Sequence, residues 1–509
     1  MIRHPPRPCR SLILLLSLAL FACHGPRPAA GALEMGGSER SLSAQVEAAI
    51  RRRDPRLHVG VAVSSASTGA RLLALGDSQR FTPASVFKVY TAAAALYYLG
   101  PQHRFVTELL TDGLDRSGRA AHHLYLKGSG DPDLGGGDLA ALAARLRQQG
   151  VSQVTGDIIV DDGVFDATPW GRGWMWDDLD DGYSAPVSGI NVNGNALGLF
   201  VLPGARQDLP ARVFTVPAAP YVILNNTATT AAAGGGGGVR IAVDGPAAAL
   251  GLAAGQRVDV TGSLGLDAGP VSRQFAVRDP ILFAATVLRD ELRRQRIEVA
   301  GTVRRAPVPP AALRLASHAS APLSAQLIAF MKSSDNHGME CLLKRLGVPI
   351  VVPGSAPAPT PTEVGSWDRG LSAIRTFLVQ QVGLSGTDLQ LSDGSGLSRY
   401  NVTTPAQLLT LMLYMQRQFG IGPEFLAALP LGGVDGTLAG RFSGPRLHAR
   451  VRAKTGSLSG VSNLAGFLST ADGELLAFAI MMDGFAGSAE PYRRLQEEIL
   501  ALVAQSRGD

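Results

Sequence analysis

Thr82-Pro83-Ala84-Ser85-Val86-Phe87-Lys88 runs directly into the apolar stretch Val89 to Tyr98. Threonine followed by proline reads as an N-cap with proline at the first helical position, which puts Ser85 in the first turn of a helix, at the positive end of its dipole. Lys88, three residues on, shares a face with Ser85, and burial by the apolar run favours a neutral amine able to take the Ser85 proton. A serine and a lysine three apart are common by chance, so the reading depends on what else the chain holds. Two further short sequences follow in order, Ser334-Asp335-Asn336 and Lys454-Thr455-Gly456. Together the three supply a serine nucleophile, a lysine base, and a second hydroxyl and ammonium for the proton path and an anionic substrate. That set predicts an acyl-transfer enzyme. Backbone N–H groups at Ser85 and around Lys454 would form an oxyanion hole, and Gly456 would admit a substrate backbone to the strand edge.

Outward from Ser85, Leu42 to Arg52 has helical periodicity, and Leu57 to Val63 and Ala70 to Leu75 read as strands around the turn Thr68-Gly69. At the other end, Leu464 to Leu468 and Leu475 to Met482 read as strands joined by Ala471-Asp472-Gly473. A last helix carries Tyr492, Leu495, Ile499 and Val503 on one face. These patterns predict an α+β fold, one antiparallel sheet built from both ends of the chain and covered by helices. Leu323 to Leu346 is helical with a break at Ser334 to Gly338, where Ser334 and Asn336 can face one site.

The long interval between Ser85 and Ser334 implies an insertion. From about Arg104 to about Arg278 the chain is rich in Val, Gly, Asp and strand-like runs such as Asp157 to Val160, Val213 to Val216 and Val239 to Val243. It reads as one or two mainly β modules, with Ala231 to Gly238 a flexible surface loop. The expected division is therefore 1–32 leader, 41–103 first catalytic part, 104–278 insertion, and 279–506 second catalytic part.

Arg3, Arg7 and Arg10 precede the apolar run Leu12 to Ala22, which is shorter than the roughly 20 residues a bilayer-spanning helix needs. This reads as a signal peptide cleaved at Ala30-Gly31-Ala32, with lipidation at Cys23 as the alternative, so export to the periplasm is expected. Cys9 and Cys23 belong to that segment. Cys341 is left alone as a buried small hydrophobe, and no disulfide is expected. The remaining apolar runs are too short to span a membrane. A net charge of +5 with dispersed arginines gives no footprint for nucleic acid, although it suits an anionic polymer.

Other chemistries lack their motifs. The chain has no Gly-x-Ser-x-Gly, His-Glu-x-x-His or Gly-x-x-x-x-Gly-Lys-Ser/Thr sequence. Gly128-Ser129-Gly130-Asp131 reads as a β turn, His122-His123 as a polar turn without an acid at ligand spacing, and Asp177 to Asp181 as a solvated bend. No metal or other cofactor is expected.

The chain resembles the class C low-molecular-mass penicillin-binding proteins, the D-Ala-D-Ala carboxypeptidase/endopeptidase family of bacterial cell-wall metabolism, over nearly all of its mature length. Besides the three motifs, the resemblance rests on Gly156-Asp157-Ile158 with Phe165, Gly173-Trp174-Met175-Trp176-Asp177-Asp178, and Ser184-Ala185-Pro186. It extends to Asp393-Gly394-Ser395-Gly396-Leu397-Ser398-Arg399, Leu429-Pro430 with Gly433-Val434-Asp435-Gly436-Thr437-Leu438, and Ala453 to Leu458. The long insertion after Lys88 is itself a family mark. His337-Gly338-Met339 after Asn336 departs from the family's usual small or apolar residues.

The resemblance implies a penicillin-recognising serine transferase fold, peptidoglycan stem peptides as substrates and β-lactam antibiotics as inhibitors. Ser85 would be acylated, with Lys88 its base. Ser334 would relay protons to the leaving amine, supported by Lys454, and Asn336 would bind the substrate amide. Thr455 and Ser457 would hold the terminal carboxylate, with the Ser457 N–H completing the oxyanion hole, and Asn193 would reach the substrate from the insertion. The rivals are a β-lactamase, a transpeptidase, and a wall-binding scaffold without activity. Against the first, no glutamate lies between Glu108 and Glu291 to serve as a class A deacylating base.

Overall fold

A computed structural model describes residues 37–244, 255–349 and 364–506. The leader, its cleavage site and Cys23 lie outside the described residues. At the centre stands a five-stranded antiparallel sheet in the order Val451–Leu458, Val461–Ser469, Leu475–Asp483, His58–Ser65, Arg71–Leu75. Both ends of the described chain build it, as their alternation predicted, with His58 opposite Asp483 and Ser65 opposite Leu476. Strand Val461–Ser469 is buried along almost its whole length, because helices cover both faces of the sheet.

One face carries the terminal helices Gly37–Arg53 and Glu490–Gln505, whose apolar sides close a core with Val61, Val63, Phe478 and Ile480. Tyr492, Leu495, Ile499 and Val503 all point inward, as their spacing required. Against the other face packs an all-helical layer around Lys88–Leu99. That helix is buried from Lys88 to Leu96. Its run Ala92 to Ala95 makes it slim enough to be surrounded, and Gly100 ends it at φ +79° with its N–H on the Leu96 carbonyl. Leu323–Ser333 and Asn336–Leu346 pack beside it, separated by a break of two residues, Ser334 and Asp335.

The inserted part contains more helix and more chain than the sequence indicated. A second five-stranded sheet has the order Val303–Arg305, Ile158–Asp161, Leu124–Lys127, Val106–Thr111, Leu313–Ala319. Leu313 pairs with Thr111 and Ala319 with Val106, so pairing carries the insertion past the expected edge at residue 278 to Ala319. Helices Gly136–Gln148 and Pro280–Arg294 pack on this sheet through Leu139, Leu142, Leu146, Phe283 and Leu288. Smaller sheets formed between Ala196 and Ala276 share the same apolar core through Leu197, Leu199, Val258 and Val260. Between strands that end at Ala231 and begin at Gly238, residues 232–237 form an exposed connection pinned by the Gly234 N–H on Asp267 and the Gly237 N–H on Ser263.

Candidate active site

Ser85 lies in a tight 3-10 turn, Ala84–Phe87, and the α-helix proper starts at Lys88. The expected Thr82 cap does not form: the turn has no side-chain cap, and Ala84 adopts a left-handed conformation at φ +49°. Tertiary bonds instead hold the chain that enters the turn. Asn463, buried on the neighbouring strand, donates its Nδ2 to the Thr82 and Pro83 carbonyls, both at 2.8 Å, and accepts the Met482 N–H. Gly456 meets this same turn. A Cβ there would stand 2.6 Å from the Pro83 oxygen and 2.9 Å from the Val86 nitrogen, so the glycine first serves to dock the Ser85 turn against the Lys454 strand. The missing side chain is thus required by packing within the protein itself.

Lys88 is fully buried, and its Nζ reaches Ser85 Oγ at 2.8 Å, Asn336 Oδ1 at 2.6 Å and the Ser395 carbonyl at 2.9 Å. Burial pulls its pKa down to about 8, against the opposing pull of Asp393, Asp335 and Glu340. The Asn336 Nδ2 donates to the Tyr183 carbonyl at 2.9 Å, which fixes the amide so that its oxygen faces Lys88. A segment of the insertion thereby forms one wall of the site. Ser334 sits at the helix break in a left-handed conformation, φ +61°, and its Oγ accepts from Lys454 Nζ at 2.9 Å. Lys454 is buried as well; burial, and then the Lys88 charge, hold its pKa well below the ordinary value.

Ser85, Ser334, Thr455 and Ser457 line one open cavity of about 730 Å³. The Thr455 hydroxyl bonds that of Thr437 at 2.9 Å, and Ser457 is exposed. Five of the sequence candidates, Ser85, Lys88, Ser334, Asn336 and Lys454, thus converge through direct hydrogen bonds within two connected groups. Asn193 lies apart, in an adjoining cavity of about 560 Å³ that also touches Ser334 and Asn336. Its Oδ1 accepts the Gly136 N–H, and its buried Nδ2 has no partner among the described residues.

Three participants escaped the sequence reading. Asn463 is one. The other two are the buried carboxyls Glu340 and Asp393, the latter within a quoted motif but without an assigned task. The available signal was a polar residue amid apolar neighbours, since a buried polar group must find partners. Asp112, ten residues upstream, supplies the acid that His122-His123 lacked, and the three offer ligand atoms within 4.8 Å of one another. His123 Nδ1, however, accepts the Asp157 N–H at 2.8 Å, so the neutral ring keeps its proton on Nε2. The group is a hydrogen-bonded corner. Cys341 is buried and unpaired with another cysteine.

The D-Ala-D-Ala carboxypeptidase 3 (S13) family model matches residues 42–505. The chain is 35% identical over 466 residues to a D-alanyl-D-alanine carboxypeptidase of Actinomadura sp. (strain R39), covering 88% of this chain and 81% of that one. It is 32% identical over 421 residues to a D-alanyl-D-alanine carboxypeptidase of Haemophilus influenzae, covering 79% and 80%. The crystal structure of penicillin binding protein 4 from Haemophilus influenzae superposes with a TM-score of 0.76 at 28% identity, covering 90% of this chain and 99% of that one. A second structure of that protein, complexed with a β-lactam, superposes with a TM-score of 0.72 at 26% identity. With the motifs, the fold and the match over nearly its whole described length in agreement, the chain belongs to the D-Ala-D-Ala carboxypeptidase 3 (S13) family.

Proposed function

We propose that the protein is a serine-type D-Ala-D-Ala carboxypeptidase and endopeptidase that cleaves peptidoglycan stem peptides through an acyl-enzyme and is inhibited by β-lactams. The observation that carries this reading is a fully buried Lys88 whose Nζ lies 2.8 Å from Ser85 Oγ. With a pKa of about 8, Lys88 has a sizeable neutral fraction near neutrality. Neutral Lys88 accepts the Ser85 proton as Oγ attacks the carbonyl between two D-alanines. Backbone N–H groups of Ser85 and Ser457 hold the oxyanion. As the C–N bond breaks, Ser334, supported by Lys454, gives its proton to the departing amine and is reprotonated by the Lys88 ammonium, which thereby returns the proton taken from Ser85. Water then adds to the ester carbon, yielding the shortened peptide and free Ser85. Asn336 orients Lys88 and offers its amide to the substrate, while Thr455 and Ser457 take the terminal carboxylate.

The basic leader segment and short apolar run support export to the periplasm, with Cys23 as an alternative lipid attachment point. No described helix is long and apolar enough to cross a membrane. The test is intact mass after incubation with benzylpenicillin. A stable penicilloyl adduct on the wild type and none on Ser85→Ala is the expected result. Fast loss of penicillin without an adduct would favour a β-lactamase, and neither adduct nor turnover would favour a wall-binding scaffold.

A further inference from the structure

Behind Lys88 lies a two-peptide strap, Gly394–Ser395, held from both sides. Glu340, fully buried on the helix that begins at Asn336, accepts the Gly394 N–H on Oε2 at 2.9 Å and the Ser395 N–H on Oε1 at 2.8 Å; Trp367 Nε1 also donates to Oε2, at 3.0 Å. Thr91, one turn beyond Lys88 on the nucleophile helix, donates its hydroxyl to the Gly394 carbonyl at 2.7 Å. The next carbonyl, that of Ser395, accepts from Lys88 Nζ at 2.9 Å. Asp393 stiffens the base of the strap through the Gly396 and Ser398 N–H groups, Asn401 Nδ2 and Trp174 Nε1.

The arrangement bears directly on how Lys88 can act as a base. A neutral amine has two N–H bonds and one lone pair. Asn336 Oδ1 and the Ser395 carbonyl can only accept, so they take both N–H bonds and leave the lone pair aimed at the remaining neighbour, the Ser85 hydroxyl. Were the Ser395 oxygen to move away, the amine would be free to rotate, and the lone pair would lose its direction. We infer that Glu340 and Thr91 are positioning residues for this reaction, clamping the Gly394–Ser395 strap so that the Ser395 carbonyl aims the Lys88 lone pair at Ser85. This rests on the function proposed above.

The titratable groups facing Lys88 are Asp335 and Glu340 from the Asn336 region, Asp393 from the strap and Lys454 from the sheet; burial pushes the Glu340 carboxyl up to about 8 and raises that of Asp393. Removing Glu340 takes away a carboxyl and loosens a carbonyl that both favour the ammonium, so the acylation midpoint moves to lower pH while the plateau rate falls. Loss of Thr91 acts only through the strap. The experiment measures the second-order rate of acylation by a fluorescent penicillin between about pH 6 and 10. It compares wild type, Glu340→Ala and Thr91→Val, each normalised to folded protein.

The expected result is a plateau about tenfold or more lower in Glu340→Ala, a smaller loss in Thr91→Val, and midpoints below the wild-type value in both. A merely structural role would lower the melting temperature and leave the Thr91→Val midpoint in place. Glu340→Ala that folds and acylates within twofold of wild type at an unchanged midpoint overturns the inference. Should Glu340→Ala not fold, Thr91→Val decides by the same criterion. A wild type that forms no adduct overturns the proposed function itself, and this inference with it.

Discussion

The base assignment makes a demanding prediction about pH. With Lys88 titrating at about 8, roughly 9% of the enzyme holds the neutral amine at pH 7. At the unperturbed value of 10.5 the fraction would be about 0.03%, so burial supplies a factor of about 300 in reactive enzyme. Acylation therefore falls tenfold per pH unit on the acid side of about 8 and levels above it. Lys88→Arg keeps the charge and most of the volume but replaces the base with a guanidinium that does not deprotonate in water. Its neutral fraction at pH 7 is on the order of 10⁻⁶, and acylation should fall by at least about 10⁴-fold. The rate of penicilloyl-adduct formation, followed by intact mass across pH, measures both effects. A flat profile between roughly pH 6 and 9, or Lys88→Arg within about tenfold of wild type, would refute the argument. The same shift has a sign for stability. Between pH about 8 and 10.5 the unfolded chain holds the Lys88 proton and the folded one does not, so this group's contribution to stability rises with pH across that window.

Ser334→Ala removes the hydroxyl that Lys454 supports, and release of D-alanine from a pentapeptide should slow by about 100-fold or more with little change in melting temperature. Turnover within threefold of wild type would exclude Ser334 from the proton path. Gly456→Ala forces a methyl to within 2.6 Å of the Pro83 oxygen, and should cost about 1–3 kcal/mol together with a slower acylation as the Ser85 turn gives way. A thermal scan and an adduct rate both equal to wild type would show that the turn is not docked there.

The grouping of the candidate residues was more legible than the local geometry that brings them together. The grouping of Ser85, Lys88, Ser334, Asn336 and Lys454 was legible because their types and order suggested one site, and the central strands because short apolar runs bounded by turn residues leave few other readings. The Thr82 cap is displaced for a tertiary reason: Asn463, several hundred positions away, donates to the Thr82 and Pro83 carbonyls and so sets the path of the backbone entering the turn. No local rule contains that information. Helix Gly136–Gln148 was missed although Leu139, Leu142, Ala143 and Leu146 have helical spacing, because the glycine- and valine-rich surroundings were read as a unit. The far edge of the insertion was invisible for another reason. Leu313–Ala319 is an ordinary edge strand in isolation, and only its partner Val106–Thr111 assigns it to the inserted sheet.

The pairing of His58–Ser65 with Leu475–Asp483 has a kinetic consequence. The nucleophile is delivered by an early stretch of chain, while the strand and the lysine that complete its surroundings come from the final quarter of the described residues. Closing so large a loop is the entropically slow step of assembly. The insertion, with a core of its own, can condense first and shorten the span of disordered chain still to be closed. A hydrolase directed at a structural polymer would then remain inert through most of its own folding, and gain its reactive serine only when the two ends of its sheet have met.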